Sequence, residues 1–425
     1  MKRNPLLNFI YIVIFLIALH LLFLYKVTLL WSTNNAWWFE LYIVLTGTYL
    51  LSRFFIVYFY EDDHRHGKWK DSDYPTVSFV IAGKDEGDSI FDTISAIMAS
   101  DYPAWFECLA VDDGSTDTTL SEMRRAALRF GKISGGVRVI SFPVNRGKRE
   151  GMAEGVLGAK GEIIVFVDSD SFLAPDATKL IVEHFLANPK VGAVSGNTGV
   201  ANPTTNMLTR MQSARYSVSF DIFKACESVF GVVTCCPGCF SAYRRSALLE
   251  ILQAWRTKTF LGTPSTFGDD RSLTNYILLK KWDVVYCREA KATTIVPDTY
   301  KKYLKQQVRW KKSWIREGIT PAKFIWRRNP IASSSFYTNL LIPIFSPLIA
   351  INALFIQPVF FMHMPVVFLT GIIALSVLLG LFNFIQTNSR YWFYVVIFSL
   401  FYVVVHLWQM PYALFHLKNT SWGTR

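Results

Sequence analysis

The chain is apolar at both ends and polar in the middle, and that distribution restricts its fold more than any single motif does. Residues 6 to 25 and about 37 to 60 each carry a run of apolar side chains long enough to cross a hydrocarbon layer of about 30 Å as a helix. Three further apolar stretches follow residue 330, at about 336 to 361, 364 to 386 and 391 to 416. Lys2 and Arg3 precede the first run as they would in a signal peptide, but the run is too long and no small-residue cleavage site follows, so it reads as a retained span. The polar middle is large enough for one globular domain, and 51 % hydrophobic residues agrees with a membrane-borne one.

A formal net charge of +12 would suit a nucleic-acid partner if the charge were spread over the domain. Instead Lys301, Lys302, Lys305, Arg309, Lys311, Lys312, Arg316, Lys323, Arg327 and Arg328 crowd into one stretch beside a single acid, Glu317. Basic residues flanking a span mark the cytoplasmic side and can meet anionic lipid headgroups, and no nucleic acid is needed to explain them. The six cysteines have no regular spacing, which fits a reduced compartment better than a disulfide framework.

Within residues 70 to 299 short apolar runs alternate with amphipathic stretches. VSFVIA (77 to 82), ECLAVDD (107 to 113), VRVISF (137 to 142) and IIVFVD (163 to 168) predict strands, and 88 to 100, 116 to 130, 147 to 158 and 175 to 187 predict helices. This is the pattern of a Rossmann-like α/β sandwich around a mainly parallel sheet, in which ligands lie beyond the carboxyl ends of the strands. Those ends are acidic. One finishes in Asp112 and Asp113 before a Gly-Ser turn, another in Asp168-Ser169-Asp170, where strand alternation would aim both carboxylates the same way. Two acids so placed can share a divalent cation such as Mg²⁺ or Mn²⁺.

Farther along come Gly268-Asp269-Asp270-Arg271 and then Gln306-Gln307-Val308-Arg309-Trp310. A carboxylate in the first group can take a proton from an acceptor hydroxyl, although Asp270 is also placed to cap the helix that follows. In the second, Arg309 can pair with a diphosphate and Trp310 can stack on a sugar or lie at a membrane interface.

Taken in order between membrane segments, VDDGS, DSD, GDDR and QQVRW resemble the processive family 2 glycosyltransferases that include cellulose, chitin and hyaluronan synthases. The resemblance covers nearly the whole chain. It implies a GT-A type catalytic domain at 70 to 299 facing the cytosol, basic interfacial helices at 300 to 330, two N-terminal spans within 1 to 62, C-terminal spans within 331 to 417, and a channel through which the polymer leaves a plasma or inner membrane. It implies that Ala82, Glu86, Asp112 and Asp113 hold the uridine, that Lys148 and Arg149 form a basic pair near the nucleotide, and that Asp168 and Asp170 take the metal and diphosphate. It makes Asp270 the general base and Gln306, Arg309 and Trp310 the motif closing over diphosphate and acceptor. Asp269 and Arg271, around that base, and Cys239, in CPGCFSAYRR, fall to the acceptor, with Cys239 a departure toward the chitin-synthase version. Three cysteines in that region also raise zinc, but the sequence offers no fourth ligand nearby.

The terminal Ser421-Trp422-Gly423-Thr424-Arg425 looks most like hyaluronan synthases, in which such a tail at 418 to 425 folds over the nucleotide. That likeness favours hyaluronan built from UDP-GlcNAc and UDP-glucuronate. IVPDT at 295 to 299 and the double cysteine at 235 and 236 are similar to chitin-oligosaccharide synthases, which would need UDP-GlcNAc only. A cytosolic tail also requires an even number of C-terminal spans, so one of the three stretches is expected to be re-entrant or broken, at Pro343 and Pro347 or at Pro411. A transporter would not explain the strand-end acids, a nucleotide-binding regulatory module would explain the sheet but the chain lacks its Gly-rich phosphate loop, and a lipid-linked single-sugar transferase would not carry QQVRW with this tail.

Overall fold

The computed structural model describes residues 37–62, 68–362 and 364–418, with Val13, Ile17 and His20 besides. The first apolar run, those three residues apart, and the tail with Trp422 and Arg425 lie outside the described residues.

The polar middle folds around an eight-stranded sheet in the order β3-β2-β1-β4-β7-β6-β10-β5. Its strands are β1 (Val77–Gly83), β2 (Phe106–Asp112), β3 (Val137–Ser141), β4 (Ile163–Phe166), β5 (Ser171–Leu173), β6 (Val191–Val200), β7 (Ser241–Arg244) and β10 (Asp283–Thr294); a separate hairpin pairs β8 (Thr259–Phe260) with β9 (Thr263–Pro264). β3, β2, β1 and β4 are parallel. β7 then runs antiparallel to both β4 and β6, and β5 antiparallel to β10. β6 and β10 pair parallel, so six of the eight strands run the same way and the sheet is mainly parallel, as expected, with β7 and β5 reversed. β1 and β2 are buried along their whole length because helices cover both faces, which is why they read as unbroken apolar runs. Val80, Leu109 and Val111 pack on one side with Met152 and Val156, while Phe79, Ile81 and Cys108 pack on the other with Ile94 and Met123.

A long helix, Tyr300–Ala322, carries the basic stretch and joins this domain to the apolar helices. On the domain side Lys258 Nζ lies 2.5 Å from Glu317 Oε2, with the carboxylate 1 % exposed, and Asn275 Nδ2 donates to the Glu317 carbonyl at 2.8 Å. Arg316 donates to Ser265 Oγ and lies over the Phe267 ring. On the opposite side Lys311 Nζ donates to Gln409 Oε1 at 2.8 Å and sits over Tyr402, and Gln409 donates back to the Leu304 carbonyl. Lys301, Lys302 and Lys305 are exposed, as a headgroup-facing role requires, but Lys311, Lys312 and Arg316 are buried.

Among the described residues two helices are long and apolar enough to cross a membrane, Pro330–Phe361 and Phe368–Thr387. A third, Tyr394–Val405 with Leu407–Phe415, is bent by 48°. Pro411 has no amide for residue 407 and its ring crowds that carbonyl, so the bend falls where proline disrupts the helical ladder. Pro343 and Pro347 sit inside Pro330–Ile351 without interrupting it, so of the two expected break points Pro411 is the one beside a bend. The stretch expected as the second span is helical over Trp37–Val57, and its apolar part is the shorter Leu41–Val57.

Two outcomes follow for the central helix. Lys258→Met leaves the Glu317 carboxylate buried without its cation and is expected to cost about 3 kcal/mol, read as a lower unfolding midpoint in detergent; an unchanged midpoint would show that this pair does not hold the helix. Burial, with Arg215 behind it, pushes the Lys311 ammonium down to about 7. Above about pH 7 and below about pH 10 the unfolded chain keeps a proton that the folded one has lost, so stability should rise with pH across that window. Lys311→Met should flatten the rise in denaturation midpoint between about pH 7 and 9.

Candidate active site

The end of β2 is tied down by its own acids. Asp112 accepts from the Ser115 amide at 3.1 Å and from Ser141 Oγ at 3.1 Å. Asp113 accepts from the amides of Arg146 at 2.6 Å and Gly147 at 2.9 Å, and burial raises its carboxyl above the usual range. Asp113 thus fixes the turn that starts the helix Lys148–Gly158. Ala82 is buried at the end of β1, and Glu86 follows it, its amide donating to Thr119 Oγ1 at 2.7 Å.

That turn delivers Lys148 to Asp168, whose Oδ1 accepts from the ammonium. Burial works to lower the Lys148 pKa, but Asp168, with Asp269 behind it, outweighs burial and holds the ammonium above its ordinary value. β4 ends at Phe166, so Asp168 and Asp170 belong to a turn before β5 and not to a strand whose alternation aims them. What gathers them is that turn and the chain facing it. Gly238 has no side chain where a Cβ would stand 2.8 Å from Asp168 Oδ1. The Cys239 thiol is raised well above its usual range by burial, then by Asp168 and Asp170, and Tyr216 feels both carboxylates. Asp170 Oδ1 also accepts from Thr294 Oγ1 at 3.2 Å.

Asp269 and Asp270 fill the first turn of the helix Asp269–Leu279. Asp270 is not the cap the sequence suggested. Gly268 takes that position at φ 80°, because a Cβ there would meet Ser313 Oγ at 2.0 Å. The helix therefore begins hard against the long Tyr300–Ala322 helix. Asp269 turns inward to Arg149 Nε at 2.7 Å, and Arg149 stacks at 5.2 Å over Trp255, whose indole N–H donates to the Asp269 carbonyl. Asp270 Oδ1 accepts its neighbour Arg271's amide at 2.7 Å, and Oδ2 lies 3.5 Å from the Cys235 sulfur. Burial and Asp270 push the Cys235 thiol up to about 11, so it stays a neutral donor to the carboxylate. Arg271 lines a different, small pocket with Thr234, Trp314 and Phe336.

Arg309 completes the group. Burial pulls its guanidinium down while the charges of Asp168, Asp270 and Asp269 push it back up, so all three acids are within its electrostatic reach. Gln306 is half-buried, and its neighbour Gln307 is the buried one, accepting from Arg215 Nη1 at 2.6 Å. Arg215 also stacks at 5.5 Å over Trp310, and over Phe398 and Tyr402 of the last apolar helix. Arg215 and Tyr216 have no motif around them and nothing in the sequence singled them out, while Cys235 was noticed only as half of a double cysteine and not as a partner of Asp270.

Acids and cations converging at the carboxyl end of such a sheet define a glycosyltransferase of the GT-A class. The family described as "Glycosyltransferase like family 2" matches residues 75–313. Hyaluronan synthase of Streptococcus pyogenes is 31 % identical, covering 100 % of this chain and 97 % of that protein. The chain belongs to the family 2 glycosyltransferases. An N-acetylglucosaminyltransferase of Rhizobium meliloti is 34 % identical over 57 % of this chain and 56 % of its own. The mannosyltransferase PcManGT of Pyrobaculum calidifontis, solved with GDP-Man and Mn²⁺, shares the fold at a TM-score of 0.54 and 20 % identity, covering 87 % of this chain and 99 % of its own.

If Arg215 sets the plane of Trp310, Arg215→Ala should lower turnover about tenfold, or about 1.4 kcal/mol of barrier, while the donor KM stays unchanged. Arg215→Lys, which keeps the charge but not the planar stack, should recover only part of it. Equal turnover in all three proteins would remove this role.

Proposed function

We propose that this chain is a membrane-embedded processive synthase, with its catalytic domain in the cytoplasm, that takes sugars from UDP-GlcNAc and UDP-glucuronate, extends hyaluronan and exports it through its own apolar helices. The observation that carries the reading is the meeting of Lys148, Arg309, Asp168 and Asp270 from four separate segments at one sheet edge, together with full-length similarity to a hyaluronan synthase. The second reading, a synthase using UDP-GlcNAc only, draws on the similarity to the N-acetylglucosaminyltransferase.

In this reading Asp270 accepts the proton of the acceptor hydroxyl as it attacks the donor's anomeric carbon. Cys235 keeps one carboxylate oxygen engaged and orients the other. The acceptor's terminal sugar stacks on Trp310, held in place by Arg215. Lys148 and Arg309 meet the growing charge on the departing UDP, and Lys148 can do so by exchanging Asp168 for phosphate. Asp168 and Asp170 suit Mg²⁺ or Mn²⁺: both are hard oxygen donors, and Gly238 leaves the approach to Asp168 open. A cation held there would neutralise the diphosphate of the leaving group.

Purified enzyme with Mg²⁺ should make polymer only when both UDP-sugars are present. Polymer from UDP-GlcNAc alone would move the assignment to the second reading, and no UDP release from any mixture would overturn both. Asp270→Asn should lose about a thousandfold in turnover while still binding UDP; near-normal turnover would dismiss it as the base. Chelation should abolish activity and added Mg²⁺ or Mn²⁺ restore it. Activity undiminished by chelation would remove the metal role of Asp168 and Asp170.

A further inference from the structure

Away from the catalytic acids, three residues far apart in sequence meet where the first described apolar helix enters the domain. Asp62 follows that helix, His184 lies on the helix Ala177–Ala187, and Cys287 lies in β10. One ligating atom from each falls within 4.8 Å of the other two. The Asp62 side chain is 10 % exposed, His184 4 % and Cys287 0 %. None of the three has a part in the glycosyl transfer.

The strand is shaped around the cysteine. Tyr286 pairs with Ser195 and Lys291 with Asn197, so Cys287 to Ala290 bulge out of the ladder opposite Gly196 alone. The bulge turns the amides of Glu289 and Ala290 back onto the Cys287 sulfur. Burial, and then the Asp62 carboxylate, keep the thiol protonated and well above its usual range against those two amides. The carboxylate is oriented as well: Asp62 Oδ1 accepts from Tyr60 Oη and from the Arg288 amide at 3.0 Å. The Arg288 guanidinium lies 4.7 Å over the Tyr60 ring and donates to the Asp221 carbonyl.

We propose that Asp62, His184 and Cys287 bind a structural zinc ion that fastens the membrane-side helix to the sheet. Thiolate, imidazole and carboxylate are all zinc ligands, and one thiolate plus one carboxylate neutralise a divalent ion inside the protein. Zinc bonds of about 2.0 to 2.3 Å set tetrahedral ligand atoms about 3.3 to 3.8 Å apart, so small rotations of the three side chains close the site, and water takes the fourth position. Binding releases the Cys287 thiol proton to solvent.

The test uses full-length, untagged enzyme in detergent, stripped with chelator, returned to zinc with excess Mg²⁺ and dialysed, with bound metal counted by mass spectrometry. One zinc per chain is expected in the wild type and in Asp168→Asn, and none in His184→Gln or Cys287→Ser. Zinc should raise the unfolding temperature of the wild type and not of His184→Gln. Cobalt(II) added to the stripped wild type should give a thiolate-to-metal charge-transfer band, a readout that needs no variant. Absence of that band, retention of zinc by His184→Gln, or loss of zinc in Asp168→Asn would overturn the proposal whether or not Cys287→Ser folds.

Discussion

Three carboxylates, Asp168, Asp269 and Asp270, stand together at one edge of the sheet, and the rest of the structure is arranged to make that bearable. Two unit charges about 4 Å apart repel by about 4 kcal/mol at the effective dielectric of a protein surface. Each acid is therefore met by a cation delivered from another element: Lys148 from the turn that Asp113 pins, Arg149 on its Trp255 platform, and Arg309 from the long helix. An anionic sugar nucleotide entering the same space would find these cations already gathered. In the proposed reaction the charges that hold this edge of the fold together are the ones a departing diphosphate would meet.

How much of this the sequence exposed depended on whether the signal was local. β1, β2 and β4 were legible because burial on both faces leaves continuous apolar runs, and the partly buried β3 because its β-branched residues alternate. β6, β7 and β10 were not, since VGAVSGNTGV, SAYR and DVVYCREAKATT mix polar residues with small ones, and with them went the mixed half of the sheet. Asp168 and Asp170 were found as a pair, but the turn that gathers them was not, because nothing marks the strand's end at Phe166. Asp270 was read as a cap because Gly268's left-handed backbone is invisible until Ser313 lies beside it. Arg215 and Tyr216 act only through partners contributed by other segments, so their neighbours in sequence say nothing about them, and the double cysteine drew notice to Cys235 without revealing its partner Asp270.

The long helix Tyr300–Ala322 belongs to two structures at once. Its Glu317 and Arg316 lock it to the catalytic domain, and its Lys311 locks it to the last apolar helix through Gln409 and Tyr402. Gly268 brings the Asp270 turn against the same helix at Ser313, so Asp270, Arg309 and Trp310 are set from one rigid piece. Cations that sequence pattern alone assigns to the surface become joints when both flanks of their helix are occupied.

The cage around Arg215 is closed by Phe398 and Tyr402, which belong to the bent apolar helix rather than to the catalytic domain. An apolar helix in a bilayer answers a change of hydrocarbon thickness by tilting. A tilt of this one would move two of the three rings that grip the arginine over Trp310. In a bilayer, a change of lipid acyl length that tilted this helix would thereby shift the Trp310 ring from outside the catalytic domain.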